Sequence, residues 1–224
     1  MAFIVAIDGP AGAGKSTVSQ RVAETLHFTL VDTGAIYRCV GLAAQRAGVD
    51  PADGAAVGAV ARAQTIRFCF QAGVNEVFLN DERVSDLIRT PEVSQWASKV
   101  SALGPVRDAL LDLQRSLGRA HPAGAVLEGR DIGTVVFPDA ELKVFLTATV
   151  EERARRRVEQ LEAKGEAADL AAVRESIAER DARDMGRAQA PLRRADDAHE
   201  LVTDGMTIDA VVETIASWAH SAGA

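Results

Sequence analysis

The stretch AFIVAIDGPAGAGKST, residues 2–17, decides the fold. Residues 2–8 form a continuous apolar run that ends in Asp8, the pattern of a parallel strand buried on both faces. Gly9 and Pro10 stop that strand. Gly9-Pro10-Ala11-Gly12-Ala13-Gly14-Lys15-Ser16 then fits G-x-x-x-x-G-K-[ST] at every fixed position. Glycines allow backbone N–H groups to wrap around phosphate oxygens. A helix opening at Lys15 adds the partial positive charge of its N-terminus. Lys15 is expected to reach the β- and γ-phosphates of a nucleoside triphosphate. The Ser16 hydroxyl, followed by Thr17, is expected at a Mg²⁺ ion.

Outward from this loop the pattern stays α/β. Val18, Val22 and Leu26 line one face of a helix over 15–26, and a short strand follows at 29–32. Further short apolar runs at 125–128, 142–147 and 200–203 read as strands, and 105–117, 150–164 and 207–219 read as helices, with Thr207 as an N-cap. The expectation is a core of about five parallel strands flanked by helices. The interval from Gly34 to Ala125 is too long for a loop. Within it Ile66, Phe68 and Phe70 alternate with Arg67 and Cys69, residues 72–75 read as a turn, and strands are expected at 76–79 and 83–84. That is a small antiparallel meander inserted into the core.

The 224 residues carry a net charge of −7, which gives no general affinity for a nucleic-acid backbone. No run of about 20 apolar residues is present to span a membrane, and the N-terminus lacks the basic stretch of a signal peptide. The two cysteines, Cys39 and Cys69, sit apart in apolar surroundings and read as reduced, buried thiols. A cytoplasmic protein is expected. Arginines crowd between Arg153 and Arg194, but acids are interleaved with them, so most read as a solvated face. Of Arg153, Arg155, Arg156 and Arg157, Arg156 is the one expected over ATP. The histidines show no metal or catalytic spacing.

A phosphate loop does not name a reaction. The chain lacks the N-K-x-D segment of a GTPase, and AVLE before Gly129 is a poor match to the strand of an ATPase motor. A kinase with a small acceptor fits better. Four further segments bear on the acceptor: Asp32-Thr33-Gly34-Ala35-Ile36-Tyr37-Arg38, Gly129-Arg130-Asp131-Ile132-Gly133-Thr134, Ser98 with Arg107, and Arg180 to Arg187. Two of them begin at the C-terminal ends of predicted strands, where ligands bind in open α/β sheets. Arg180, Asp184 and Arg187 share one helical face. By themselves these residues leave two bland alternatives open: a local Arg130–Asp131 ion pair, and an exposed salt-bridged helix.

GPAGAGKST, DTGAIYR, GRDIGTVVFPDA and ERDARDMGRAQAPL together resemble the motifs of bacterial cytidylate kinases, and the resemblance runs from residue 4 to about 215. It implies a nucleoside monophosphate kinase fold. The core would take 1–34, 100–150 and 190–224, the monophosphate-binding insertion 35–99, and a lid region 151–189. ATP would be held by Gly9 through Thr17 and by Arg156, with Mg²⁺ at Ser16. The resemblance implies that Ser98, Arg107 and Asp131 read cytosine, and that Arg180 and Asp184 hold the sugar. It places Thr33 and Tyr37 beside the monophosphate. Arg38, Arg130 and Arg187, with Lys15, would clamp the phosphates during transfer. CMP and dCMP would be the acceptors and a monomer the working form. The competing readings are a P-loop kinase for UMP, AMP or a small hydroxyl compound, and a sensor that binds ATP without turnover. The role of Glu128, beside the GRD segment, stays open between direct and water-mediated help to Mg²⁺.

Overall fold

The computed structural model of the chain describes residues 2–71, 74–163 and 165–224. In chain order its elements are β1 (Phe3–Asp8), α1 (Lys15–Leu26), β2 (Thr29–Asp32), α2 (Thr33–Arg46), α3 (Gly54–Ala63), β3 (Ile66–Gln71), β4 (Val74–Leu79), β5 (Glu82–Arg83), α4 (Pro91–Val100), α5 (Gly104–Arg119), β6 (Gly124–Gly129), β7 (Leu142–Thr147), α6 (Val150–Glu162), α7 (Leu170–Met185), β8 (His199–Val202) and α8 (Ile208–Ser221). A 3₁₀ turn lies at Leu87–Arg89 and a π-helical turn at Ile132–Val136. Among the described residues no helix is long and apolar enough to cross a membrane.

Two compact units result: Met1–Val31 with Gly118–Ala224, and Asp32–Leu117. The first unit is built on a five-stranded parallel sheet in the order β2-β6-β1-β7-β8. β1 is central because it is apolar from Phe3 to Ile7, and from Ile4 to Asp8 it is buried. It pairs in parallel with β6 on one side (Phe3↔Gly124 to Asp8↔Gly129) and with β7 on the other (Val5↔Leu142 to Asp8↔Phe145). β1 feeds β2 on one flank, and β6 later crosses back over β1 to reach β7. Direction therefore reverses beside β1, which creates a crevice at its C-terminal end. Val18 and Val22 of α1 and Val211, Val212 and Ile215 of α8 pack with Val5, Ile7, Val144 and Leu146 in one core. Thr207 caps α8 by accepting the Ala210 N–H (3.2 Å), as its sequence position predicts.

The second unit has its own core, in which α2 (Ile36, Val40) meets α3 (Val57), α4 (Val93, Val100), α5 (Val106, Leu110) and the small sheet (Ile66, Val77, Leu79). That sheet is the antiparallel meander β3-β4-β5. Ile66 pairs with Leu79 and Arg67 with Phe78, so the predicted alternation places Ile66 inside and Arg67 outside. Asn80, in the left-handed region at φ 56°, turns the chain from β4 into β5. The expected turn at 72–75 falls partly on Ala72 and Gly73, which lie outside the described residues, as does the side chain of Phe70. Sequence patterning did not anticipate α2, α3 and α4. Each is nevertheless capped by a side chain, from Asp32 to Ala35 N, Asp53 to Ala55 N and Ala56 N, and Thr90 to Val93 N. Cys39 is buried as expected, but Cys69 is only half-buried, because β3 presents it to the less covered face of its sheet.

Candidate active site

The phosphate loop grows directly from the sheet. Gly9 (φ 154°) lies so close to β7 that a Cβ there would sit 1.9 Å from the Leu146 carbonyl oxygen. Only glycine fits. Gly14, left-handed at φ 85°, is the N-cap residue of α1, and no side chain caps that helix end. Its first amides are thus left for an anion. Pro10, Ala11 and Ala13 are buried, whereas Gly12, Gly14, Ser16 and Thr17 are exposed. The Lys15 ammonium folds back over the loop and donates to the Pro10 carbonyl at 2.8 Å. The Ser16 hydroxyl donates to the Glu128 carboxylate at 3.0 Å. This ties the first turn of α1 to the end of β6.

Charge around Lys15 is unusually positive. Burial pushes its ammonium well below the ordinary lysine range, and Arg130 and then Arg180 push the same way, against Glu128 and Asp8. Cations gathered this closely suit a polyanion.

Arg130, at the end of β6, donates through Nε to Asp184 Oδ2 at 2.8 Å, and Arg187 donates to Asp184 Oδ1. Asp184 is 1 % exposed and the Arg187 side chain 6 %. Arg180 and Asp184 lie on α7, but the helix ends at Met185, so Arg187 meets Asp184 from the chain beyond it and the three do not share one helical face as expected. Nor is the Asp184 side of α7 a solvated salt-bridged surface, since the exposed residues there, Ala182, Arg183 and Met185, lie elsewhere on the helix. Burial alone would raise the Asp184 carboxyl. Arg130, then Arg187 and Arg180, outweigh it and hold Asp184 below the usual carboxylate range. Arg130 thus has its partner on a distant helix rather than only in a local pair with Asp131.

Two side chains to which the sequence reading gives no role in the site complete this region. Arg153, expected among the solvated arginines, is buried. It donates to the carbonyls of Ala148 and of Ala11 in the phosphate loop, both at 2.9 Å, and pairs with Asp181 Oδ2 at 2.6 Å. It ties α6 and α7 to the loop. Asp8 accepts the N–H groups of Ile132 and Gly133, each at 2.8 Å. No motif flags either residue, since each is recognised only by its distant partners. Arg156 lies half-buried against Glu152 and donates to both the hydroxyl and the carbonyl of Thr203, at 3.0 and 2.7 Å. Arg155 pairs with Glu152 and Glu159 in the open, and Arg157 is exposed.

In the second unit Tyr37 and Arg107 are both buried, with the guanidinium 5.7 Å from the phenol ring centre. Arg107 donates to the Ser101 carbonyl at 3.1 Å. The Ser98 hydroxyl is buried and has no hydrogen-bond partner among the described residues. Thr33 is buried at the start of α2 and Arg38 is half-buried one turn on. The Cys39 thiol is pushed up to about 12, first by burial and then by Asp32, with Arg38 opposing. It is inert as a nucleophile.

A parallel sheet with a phosphate loop at its crevice, faced by buried arginines, defines a P-loop nucleotide-binding protein. Comparison with known proteins narrows the class. The family model for cytidylate kinase matches residues 5–221. The cytidylate kinase of Syntrophotalea carbinolica is 51 % identical over 211 residues, covering 94 % of this chain and 89 % of the relative. That of Geobacter sulfurreducens is 49 % identical over 215 residues, covering 96 % and 91 %. A solved structure of an uncharacterized protein from Eubacterium ventriosum shares the fold, with a TM-score of 0.54 at 13 % identity and 99 % of each chain covered. The chain belongs to the cytidylate kinase family.

Proposed function

We infer that this chain transfers the γ-phosphoryl of ATP to CMP or dCMP, giving ADP and CDP or dCDP. One observation carries the reading: in a member of this family, the phosphate-loop lysine stands among arginines whose countercharge, Asp184, is itself buried. Such a cluster suits a reaction with phosphate on both sides.

The loop amides of Gly9 to Thr17 and Lys15 hold the donor, with Arg156 as a further ATP contact. An oxygen of the acceptor's phosphate attacks the γ-phosphorus in line. The bond from that phosphorus to the bridging oxygen breaks, and its electrons leave with ADP. No general base is needed, because a phosphate monoester with a second pKa of about 6 is already a dianion at neutral pH. Arg130, Arg187 and Arg38 stabilise charge spread over the transferring group. Thr33 and Tyr37 line the monophosphate, and Arg180 and Asp184 hold the sugar hydroxyls. Ser98, Arg107 and Asp131 recognise cytosine, whose amine donor and ring acceptors complement a carboxylate beside an arginine.

Mg²⁺ fits the oxygen donors present: the Ser16 hydroxyl would hold it, with Glu128 close by, and it would neutralise charge on the β- and γ-phosphates when bound.

In this reading residues 35–99 act as the monophosphate-binding insertion and 151–189 as the lid on a core of 1–34, 100–150 and 190–224. A cytoplasmic monomer acting on free nucleotides, without nucleic-acid polymer or membrane, accords with the charge of −7. The test is an acceptor panel with Mg·ATP. CMP and dCMP are expected to show the highest kcat/KM. A better UMP, AMP or hydroxyl acceptor overturns the base assignment. Transfer should vanish in Lys15→Ala with the circular dichroism unchanged; no transfer to any acceptor by the wild type would instead favour an ATP sensor.

A further inference from the structure

Asp8 is the last residue of β1, directly before the phosphate loop, and it is 6 % exposed. Its two oxygens are fully committed: Oδ1 accepts the Ile132 N–H and Oδ2 the Gly133 N–H, both at 2.8 Å. These amides open the turn Ile132–Val136. The residue at the N-cap position of that turn is Asp131, yet its side chain makes no capping hydrogen bond. An aspartate in that place ordinarily spends its carboxylate on the first amides of the turn. Here the neighbouring strand supplies the cap through Asp8.

We propose that Asp8 is a positioning residue: by capping the turn at 132–136 from β1, it fixes the placement of Arg130 and Asp131, at the start of that turn, from which they act on the acceptor. The assignment of Arg130 and Asp131 to the acceptor rests on the function inferred above; the cap itself does not.

The surroundings are built for this contact. A Cβ on Gly133 would come within 3.1 Å of the Lys143 side chain and 3.5 Å of Asp8 Oδ2, so glycine lets the turn approach. Gly9, next in the chain, instead lets the phosphate loop pass close to the Leu146 carbonyl of β7. The charged groups around Asp8 are few. Asp131 faces it from the turn, Lys15 from the phosphate loop, and Lys143 of β7 passes by but turns its ammonium to the Pro138 carbonyl and Asp197. Burial, reinforced by Asp131, pushes the Asp8 carboxyl up to about 6, although the two amides and Lys15 oppose the rise. A carboxyl raised in the fold favours the native state below its unfolded value of 3.8, and that contribution is lost as pH rises through about 6. At neutral pH the ionised Asp8 therefore works against stability. Retaining it makes sense where a carboxylate is needed to hold the turn.

The experiment compares wild type with Asp8→Asn, a variant of the same shape with one acceptor oxygen. Initial rates with saturating Mg·ATP and varied CMP, dCMP or UMP are measured from pH 5 to 8. In the variant, kcat/KM for CMP should fall at least about tenfold at pH 7.5, the cost of a lost charge-assisted bond. The preference for CMP over UMP should shrink, while KM for ATP and the melting temperature stay close to wild type. Below pH 6 the logarithm of wild-type kcat/KM should fall with a slope approaching two, because Asp8 and the acceptor phosphate both titrate. In Asp8→Asn the slope should be near one. Unchanged KM for CMP, unchanged selectivity and an unchanged slope overturn the proposal. If the variant does not fold, Gly133→Ala, whose Cβ would press on the Lys143 side chain at 3.1 Å beside the same contact, takes its place, and an unchanged preference for CMP over UMP in it overturns the proposal. Should wild type prefer another acceptor, the functional reading fails, and the same comparison on that acceptor still decides the role of Asp8.

Discussion

Asp184→Asn tests whether the arginine cluster is held by a buried countercharge. Asp184 is 1 % exposed and bridges Arg130 Nε at 2.8 Å and Arg187. The amide keeps the shape and one acceptor but removes the charge. Breaking a buried pair by deleting one partner costs about 3–5 kcal/mol. Asn retains one hydrogen bond, and Arg130 can recover some hydration because its side chain is 18 % exposed, so about 3 kcal/mol is expected. For a chain of this length that is a fall of roughly 6–12 °C in Tm. Urea denaturation at pH 7 gives the free energy, and the pH dependence checks its origin. The Asp184 carboxyl is depressed in the fold, so its contribution is complete above the unfolded value of 3.8 and is lost as pH falls through the lower folded value. The gap between wild type and variant should therefore narrow in acid. A loss below about 0.5 kcal/mol, the range of exposed pairs, refutes the reasoning and returns this face of α7 to a solvated salt-bridged surface.

Three further substitutions probe separate links. Asp131→Ala should weaken the preference for CMP over UMP by about 1–3 kcal/mol, read as a ratio of kcat/KM values; unchanged selectivity removes Asp131 from base recognition. Arg153→Met should leave the Ala11 carbonyl and Asp181 without their shared buried donor, raising KM for ATP and costing about 3 kcal/mol of stability in denaturant. Wild-type KM and stability in that variant would show the tie to be idle. Gly9→Ala should prevent native folding, seen as lost cooperative melting, because its Cβ would meet a β7 carbonyl at 1.9 Å.

The core was legible because its strands are short, apolar and punctuated. β1, β2 and β7 fall within a residue of the runs at 2–8, 29–32 and 142–147. The meander was legible from strict alternation, which the register Ile66↔Leu79 preserves. Helices α2 to α4 were not. α2 begins inside the DTGAIYR segment, where Thr33 and Gly34 read as loop residues, and most of its helix is buried, so no polar stripe marks a period. α3 is nearly all alanine, glycine and valine, which leaves little contrast between its faces.

The site divides in the same way. Motifs concentrate several functional atoms in a few adjacent residues, so the phosphate loop and the GRD segment announce themselves. The residues that hold those motifs in place do so over long chain distances. Asp8 and Gly133 are 125 positions apart, and Arg153 and Ala11 are 142 apart. In sequence Asp8 is simply the polar end of a strand, and Arg153 is one arginine in a run of charge. Asp8 binds backbone amides, and Arg153, besides pairing with Asp181, holds the loop through a backbone carbonyl; every residue but proline carries both backbone groups. No residue type at the far end betrays the pairing. What sequence cannot display is therefore the scaffold that aims the recognised groups, and the two glycines beside Asp8 show how it is built. Gly9 lacks a side chain where the loop passes the Leu146 carbonyl of β7, and Gly133 lacks one where the turn comes up to Lys143 and Asp8.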